Sequence, residues 1–382
     1  MCYAKLTYYY KIKNMRIINF IKKKLHERYF YKNSIGISLE ERNIAKYLQV
    51  QRLTKTEICL VKNQWQNVVI KNTKIGYPGF EIYKHYYGFN SHYIPFALFF
   101  PWLLRILSPV DAARVFVNKC MTYTYFHNIP QPKLIVRKIN GCILDSKNQL
   151  IDLEKVISIV RSTTESMIIK KSSGSCGGKS IKNLNPTMSD REISDIISSY
   201  NGDYVIQNVL KQSEITSRFN STSLNTFRIS TLLLNGKFSV LTAMLRFGPK
   251  GSLVDNLGSG GACVGVNDDG SLMSFGYNSK GEQLKQWNGV VFEGQKISCY
   301  EKIIETCKRA HYDIPLVAFV GWDFALDDNN TPTLIEANID IPGIFFEQLA
   351  NARPLFRERH DEVMQYIKEH PLPLLPLYDT TN

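Results

Sequence analysis

Eight cysteines are scattered through the chain (Cys2, Cys59, Cys120, Cys142, Cys176, Cys263, Cys299 and Cys307) and none forms a CxxC pair, which argues against a zinc knuckle or a disulfide framework. A reducing, cytoplasmic setting is the expectation. Long apolar runs are also missing. The best candidate, 93–107, is shorter than the roughly 20 residues a spanning helix needs, and it is interrupted by Pro95, Pro101 and Arg105. It is expected to be buried against its own lobe, with contact at a bilayer surface as the other reading. No uninterrupted apolar segment follows the first charges, so no cleaved signal peptide is expected, and Met15 offers an alternative start. There is no internal repeat, no low-complexity linker, no Ser/His/Asp constellation and no RNA- or DNA-binding motif.

What is present is an ordered globular composition, 44% hydrophobic over 382 residues, enough for two or three packed lobes. The formal charge of +13 is uneven. Residues 1–32 hold nine Lys/Arg (Lys5, Lys11, Lys13, Arg16, Lys22, Lys23, Lys24, Arg28, Lys32) against Glu27 alone. Ile18, Ile21, Leu25 and Tyr29 recur at helical spacing among these charges, as in a short basic amphipathic helix. Such a helix suits anionic lipid, or it docks its apolar stripe on the rest of the protein; both readings stay open. A nucleic-acid ligand is not expected.

Ser38 with Glu41 forms a capping box opening a helix to about Leu48. Ser108, Pro109 and Asp111 open a second, and Ala113, Phe116, Val117, Cys120 and Met121 keep helical spacing, predicting one core helix over 109–126. Short strands follow around Asn140-Gly141. Then come a helix from Leu153, a strand at 167–170, a capped helix from Ser189 with Glu192, and a strand at 204–207. Beyond 220 the chain is strand-rich, with a hairpin of 226–234 and 238–247, a helix at about 300–311, and a hairpin of 316–326 and 333–339 around Asp327-Asp328-Asn329-Asn330. The class is α+β, mostly antiparallel in the C-terminal half.

Two stretches carry chemistry. The strand ending in Lys170-Lys171 runs into Ser172-Ser173-Gly174-Ser175-Cys176-Gly177-Gly178-Lys179-Ser180, where backbone N–H groups can close on phosphate. This is not a Walker A loop, because position 173 is serine and Gly174 comes one residue too late. Near the C-terminal end, Asp323 sits on one predicted strand, and Glu336 and Asn338 share a face of the next. A turn centred between Asn329 and Asn330 sets Asp323 opposite Glu336. Three oxygen donors then converge, as a hard cation bridging nucleotide phosphates requires. The flanking Phe319, Val320, Phe324, Leu334 and Ile335 mark these strands as core elements, where an unpaired carboxylate is costly.

Taken together, these stretches resemble the ATP-grasp superfamily, and more narrowly its members associated with sugar transfer and surface-polysaccharide synthesis. The narrower resemblance is carried by Ser223-Leu224-Asn225-Thr226-Phe227-Arg228, Leu245-Arg246-Phe247-Gly248, Val254-Asp255-Asn256 with Gly260-Gly261, Gly321-Trp322-Asp323 and Ile335-Glu336-Ala337-Asn338. It covers roughly 165–345, extends weakly over 93–119 and leaves the arm out. It implies an ATP-grasp fold in which two α+β lobes grip ATP after a mainly helical N-terminal region. The implied division is a basic arm over 1–36, a helical region over 37–130 and a catalytic region over 131–382. Within the last, a small lobe takes about 131–210 and a large lobe about 211–360, before a C-terminal helix and tail.

The resemblance places Lys170 at the α- and β-phosphates, with Lys171 replacing the proline common beside it. Ser175, Gly177 and Gly178 fall in the phosphate loop. Gln207, Asn208, Val209 and Leu210 fall in the segment that meets adenine. Asp323, Glu336 and Asn338 match metal ligands for Mg²⁺, with two ions expected. Arg228 and Arg246 match positions that neutralise the γ-phosphate and an acyl phosphate. Asp255 and Asn256, taken as catalytic, come with the glycine run 258–261 from a loop after the second strand, where backbone can approach phosphate or acceptor; a turn-rich surface hairpin is the other reading. The implied activity is an ATP-dependent carboxylate-amine ligase, its carboxylate a uronic acid or similar group of a surface glycan; the expected place is cytoplasmic, with peripheral contact at the inner face of the membrane through the basic arm as the further reading. A kinase acting on a sugar hydroxyl and a non-catalytic ATP-binding partner of a glycan-assembly complex are the alternatives.

Strand parity tests the arginines. A two-residue Asn235-Gly236 turn sets Arg228 opposite Ala243 and sends Arg246 to the other face. A three-residue loop, or a bulge, brings both to one face, and one of these is the expectation.

Overall fold

The computed structural model describes residues 39–65, 75–174, 180–249, 251–252, 255 and 257–371. The basic arm, Ser175, Gly177, Gly178 and Asn256 lie outside the described residues. Two compact units are present, one taking the described residues up to Leu107 and from Arg353 onward, the other Ser108–Ala352.

The first unit is helical. It contains a helix over 39–47, then Lys55–Trp65, Pro78–Tyr87, Phe96–Leu107 and, from the C-terminal end, His360–Glu369. Trp65 is fully buried, donates to Ser91 O at 3.0 Å and meets the His360 ring edge-on at 5.6 Å, which ties the C-terminal helix to the N-terminal ones. The stretch 93–107 is largely buried, as expected, and takes a π turn at Phe99–Leu103 around Pro101, whose missing N–H cannot continue an α-helical ladder. No single helix among the described residues is long and apolar enough to cross a membrane.

Glu41 departs from its expected role. Its carboxylate does not lie free at the surface as a cap; it is buried, takes the Phe96 N–H at 3.2 Å, and fits because Gly79 has no side chain to fill that space. Ser38 lies outside the described residues, so the box itself is not seen.

The second unit is built on two antiparallel sheets. The smaller contains β1 (Leu134–Ile139), β2 (Cys142–Asp145), β3 (Met167–Lys171), β4 (Lys182–Leu184) and β5 (Tyr204–Asn208) in the order β2-β1-β5-β3-β4. Helices Leu153–Ser162 and Asp190–Ser198 contribute Val156, Val160, Ile193 and Ile197 to its core. The first is capped by Asp152 and the second by the Ser189/Glu192 capping box read from the sequence.

The larger sheet contains β6 (Thr226–Leu234), β7 (Lys237–Phe247), β8 (Ala262–Val266), β9 (Leu272–Asn278), β10 (Gln283–Leu284), β13 (Phe319–Leu326) and β14 (Pro332–Asn338), ordered β10-β9-β8-β7-β6-β13-β14; β11 (Gln286–Trp287) and β12 (Val290–Val291) form a separate ribbon. Along β6, β7 and β13 the residues alternate. Phe227, Ile229, Ala243, Leu245, Trp322 and Phe324 enter the apolar core with Ile303, Cys307 and Ala310 of helix Tyr300–Tyr312, while Thr226, Arg228, Arg246 and Asp323 turn to the other face. Helix Phe345–Ala350 packs on β7, β8 and β9. It sits so close that a Cβ on Gly265 would come within 2.2 Å of Ala350 O.

The predicted continuous helix over 109–126 is two short helices, Val110–Phe116 and Thr122–Tyr125. Between them the Asn118 side chain takes the Cys120 N–H at 2.9 Å, a local bond that competes with the helical ladder and leaves Lys119 on a turn.

Candidate active site

Two register shifts assemble the site. The Asn235-Gly236 turn has two residues, both at positive φ (52° and 72°), and pairs Leu234 with Lys237, so the three-residue loop is not formed. The bulge is what occurs: Thr231 pairs with Val240 but Ser230 with Thr242, leaving Leu241 as the extra residue. Arg246 then stands opposite Thr226, and Arg228 opposite Met244, so both arginines share a face. In the last hairpin Leu326 pairs with Pro332, so the turn centre lies half a residue earlier than expected. A bulge at Ile335 restores the expected pair of Asp323 with Glu336.

Arg228 and Asp323 lie opposite each other on β6 and β13 and form a bidentate pair, Nε to Oδ1 at 2.6 Å and Nη2 to Oδ2 at 3.0 Å. Arg246 Nη2 reaches Asp323 Oδ2 at 3.1 Å and Asp255 Oδ2 at 3.3 Å, and donates to Thr226 Oγ1 at 2.6 Å. Thr226 in turn hydrogen-bonds Asp255. Arg228 Nη1 lies 3.4 Å from Glu347 Oε1. Two guanidinium groups thus share three carboxylates in a nearly water-free space.

Burial works against the Asp323 charge, but Arg228 and Arg246 outweigh it and hold this carboxyl below the usual range. For Asp255 and Glu347 burial wins over the neighbouring arginine, and both carboxyls are raised. Burial also opposes the Arg228 charge, yet Asp323 and Glu347 leave it more firmly protonated than usual.

Across from this cluster, Lys170 of β3 is 8% exposed and makes no hydrogen bond or ion pair among the described residues. Its burial and the nearby Lys119 push its ammonium down to about 8, with Glu336 opposing. Lys119 Nζ is 2.8 Å from Glu336 Oε1, and Lys119 N–H donates to Ser172 O at 2.9 Å, fixing that turn against the end of β3. Two lysines and two arginines therefore converge with Glu336, Asn338 and Asp323. Of these four cations Lys170 alone has no carboxylate partner among the described residues, and an anionic group would supply one.

Of the residues expected to meet adenine, Gln207 is buried and accepts from the Tyr123 hydroxyl at 3.1 Å. Asn208 N–H is taken by Lys133 O and Val209 N–H by Ser166 O, whereas Leu210 N–H has no backbone acceptor among the described residues. The Asn208 side chain bonds Glu165, and Val209 is exposed.

The expected metal ligands share one face, but their charge is already balanced by protein cations. Asp323 Oδ2 accepts from Arg228, Arg246 and Asn338 Nδ2 (3.1 Å), and Glu336 is held by Lys119. Among the described residues no cluster of three His, Cys, Asp or Glu side chains is placed to hold a metal. The donor chemistry still fits a hard cation. Glu336 keeps a second carboxylate oxygen, and the Asn338 amide oxygen has no partner among the described residues.

Sequence reasoning missed Lys119, Glu347 and Thr226 as site residues. Lys119 carries no pattern of its own. Glu347 did leave a signal, an acid directly after the apolar run Ile344-Phe345-Phe346, and Thr226 sits two residues from Arg228 on the same strand face.

The family model for sugar-transfer associated ATP-grasp proteins matches residues 105–364. Among solved structures, the ATP-grasp ligase PsnB in complex with minimal precursor is 13% identical, with 71% of this chain and 67% of that chain covered, at a TM-score of 0.41. D-alanyl-alanine synthetase A from Vibrio cholerae O1 biovar eltor is 12% identical over 69% of this chain and 67% of that chain, at 0.42. For the L-amino acid ligase from Bacillus licheniformis the identity is 12% and the TM-score 0.37, and the match spans 63% of this chain but only 43% of that one. No curated protein matches the sequence.

Proposed function

The chain belongs to the sugar-transfer associated ATP-grasp family, and on that premise we propose that it is an ATP-dependent carboxylate-amine ligase working through an acyl phosphate. The observation that carries the reading is the buried, unpaired Lys170 facing the Arg228/Arg246 cluster, with Lys119 between them on Glu336. Such an arrangement suits a polyphosphate chain whose terminal group lies against the arginines.

Lys170 and Lys119 take the phosphate oxygens of ATP, and the Leu210 N–H is the backbone donor for the adenine edge. Lys119 leaves Glu336 as it does so. Glu336 and Asn338, with Asp323 behind them, would hold Mg²⁺, which when bound draws charge from the phosphate oxygens. A carboxylate oxygen of the substrate attacks the γ-phosphorus, the bond to the β-phosphate oxygen breaks, and ADP leaves. Arg228 and Arg246 bear the charge that accumulates on the transferred group, already oriented by Asp323, Asp255 and Thr226 so that little reorganisation is needed. An amine then attacks the acyl carbon and phosphate leaves. The chain supplies no nucleophile of its own; it positions the reactants and keeps water from the acyl phosphate.

For the substrate, a uronic acid or similar carboxylate of a surface glycan is the class proposed, joined to an amino acid or another amine. Hydroxylamine is the test. With Mg·ATP and a panel of uronic acids, ADP release accompanied by a hydroxamate supports the acyl phosphate. A stable phosphoester on a sugar hydroxyl, with no hydroxamate, replaces it with a kinase.

A further inference from the structure

The helical unit contains a cavity of about 1080 Å³ that shares no residue with the site on the two sheets. Arg42 and Lys46 of the first described helix, Arg52 of the following turn and Lys62 of helix Lys55–Trp65 line it, with Glu81 as the one carboxylate. Its volume is at the upper end of small-molecule sites, which run to roughly 1,000 Å³.

Charge is the feature that sets the chemistry of an occupant. Glu81 is buried and already engaged, accepting the Leu53 N–H at 3.3 Å and lying 3.9 Å from Arg52. That leaves three cations over. Lys46 and Lys62 have no ionic partner among the described residues, and Arg42 has only its chain neighbour Glu41. Arg42 and Lys46 are four residues apart on one helix and so lie on the same side, about 5–6 Å apart at Cβ. A single carboxylate would neutralise one of the three; two linked phosphates carry enough charge to engage all of them. Apart from Asn43 and Gln49 the remaining wall is mostly apolar, with Val50, Leu53, Ile58 and Ala97 and the half-buried ring of Tyr77. A ligand here has an apolar or aromatic part as well as charge.

We propose that this cavity binds a diphosphate ester, its phosphates between Arg42, Lys46 and Lys62 and its organic group against Leu53, Ile58 and Tyr77. It is a second ligand site, and the reading does not depend on the ligase chemistry.

Two sources share that chemistry, a nucleoside diphosphate and an isoprenoid diphosphate, so UDP and geranyl diphosphate are the probes. Each is titrated calorimetrically into the full chain, into Arg42→Ala/Lys46→Ala/Lys62→Ala, and into Val50→Trp, which fills the cavity without altering charge. We expect at least one probe to bind the unaltered chain, to weaken about tenfold or more in the triple variant, and to weaken as salt rises. Mg·ATP binding should be the same in both variants. UDP alone identifies a nucleotide ligand, geranyl diphosphate alone a lipid one, and both identify the diphosphate as the shared determinant. The triple variant alters exposed side chains only, so it stays informative if Val50→Trp does not fold. Neither probe binding, or equal affinity in the triple variant, overturns the proposal.

Discussion

Arg228 and Asp323 stand directly opposite each other on neighbouring strands and close a bidentate ion pair of 2.6 and 3.0 Å in a buried setting, 8% and 4% exposed. Neither charge has water to return to, so removing one partner leaves the other with only its weaker contacts, Arg228 with Glu347 or Asp323 with Arg246 and Asn338. Asp323→Ala should cost about 3–5 kcal/mol in urea unfolding. Arg228→Met/Asp323→Leu, which removes both charges, should cost less than that single change. If the double variant proves the weaker protein, the pair contributes through packing rather than charge.

Arg246 sits nearer the edge of the same cluster, its side chain 14% exposed, with Thr226, Asp255 and Asp323 around it. Arg246→Met should leave the unfolding midpoint within a few degrees of the unaltered protein. Its kcat for ADP release should fall about 10²–10³-fold, the usual loss when a preorganised donor to developing charge is removed. An unchanged kcat would take Arg246 out of the reaction.

Lys170 offers a pH test. Burial and the nearby Lys119 depress its pKa in the folded protein from 10.5 to about 8, so below pH 8 it is protonated and above it the charge proposed to meet phosphate is lost. Mg·ATP affinity should therefore decline as pH rises past 8. At pH 8 binding should draw in about half a proton, read from calorimetry in buffers of different ionisation heat. The sign for stability is the reverse. Between about 8 and 10.5 the unfolded chain holds more protons on this lysine, so its burial penalises folding less as pH rises. Lys170→Met should abolish the proton uptake.

Glu41 gives the opposite case among carboxylates. Burial raises it from 4.5 to about 7, and one of its oxygens, Oε2, has no hydrogen-bond partner. Between about 4.5 and 7 the folded state holds the extra proton, so this group's contribution to stability falls as pH rises through that window and stays low above it. Glu41→Gln should raise stability at pH 8 by up to about 3 kcal/mol and flatten that part of the profile. Urea midpoints at pH 5 and pH 8 for both proteins decide it.

Gly265 is packed so tightly under helix Phe345–Ala350 that Gly265→Ala must move Ala350 or its own strand. A loss of about 1–3 kcal/mol is expected. A larger proportional loss of ADP release should accompany it, because that helix carries Glu347 against Arg228. Normal activity in a destabilised protein would show that Glu347 is not needed in its place.

Much of the local structure was legible along the chain. Asn140-Gly141 and Asn235-Gly236 announced hairpins, Ser189 with Glu192 announced a capped helix, and the apolar residues around Asp323 and Glu336 announced that their strands belong to a core. These signals are short-range: each depends on φ preferences, caps or a period of two, and the residues that set them are neighbours. The same reasoning narrowed the two arginines to one face given a bulge.

Tertiary structure decided the rest. Whether the extra residue lay in the turn or at Leu241 depended on strand packing, since either choice keeps the apolar face inward. The helix over 109–126 satisfied every periodic test and still broke at Asn118, placing Lys119 beside Glu336, more than two hundred residues away in sequence. Glu347 and Lys170 acquired their shifted pKa values chiefly by losing water, and desolvation is a property of everything packed around a side chain. Sequence by itself thus determined the hairpins, the capped helices and the chemical types available at the site. Which charges were paired and which were left waiting for a ligand was decided by long-range packing, where the cost of burying a charge depends on partners that no local pattern records.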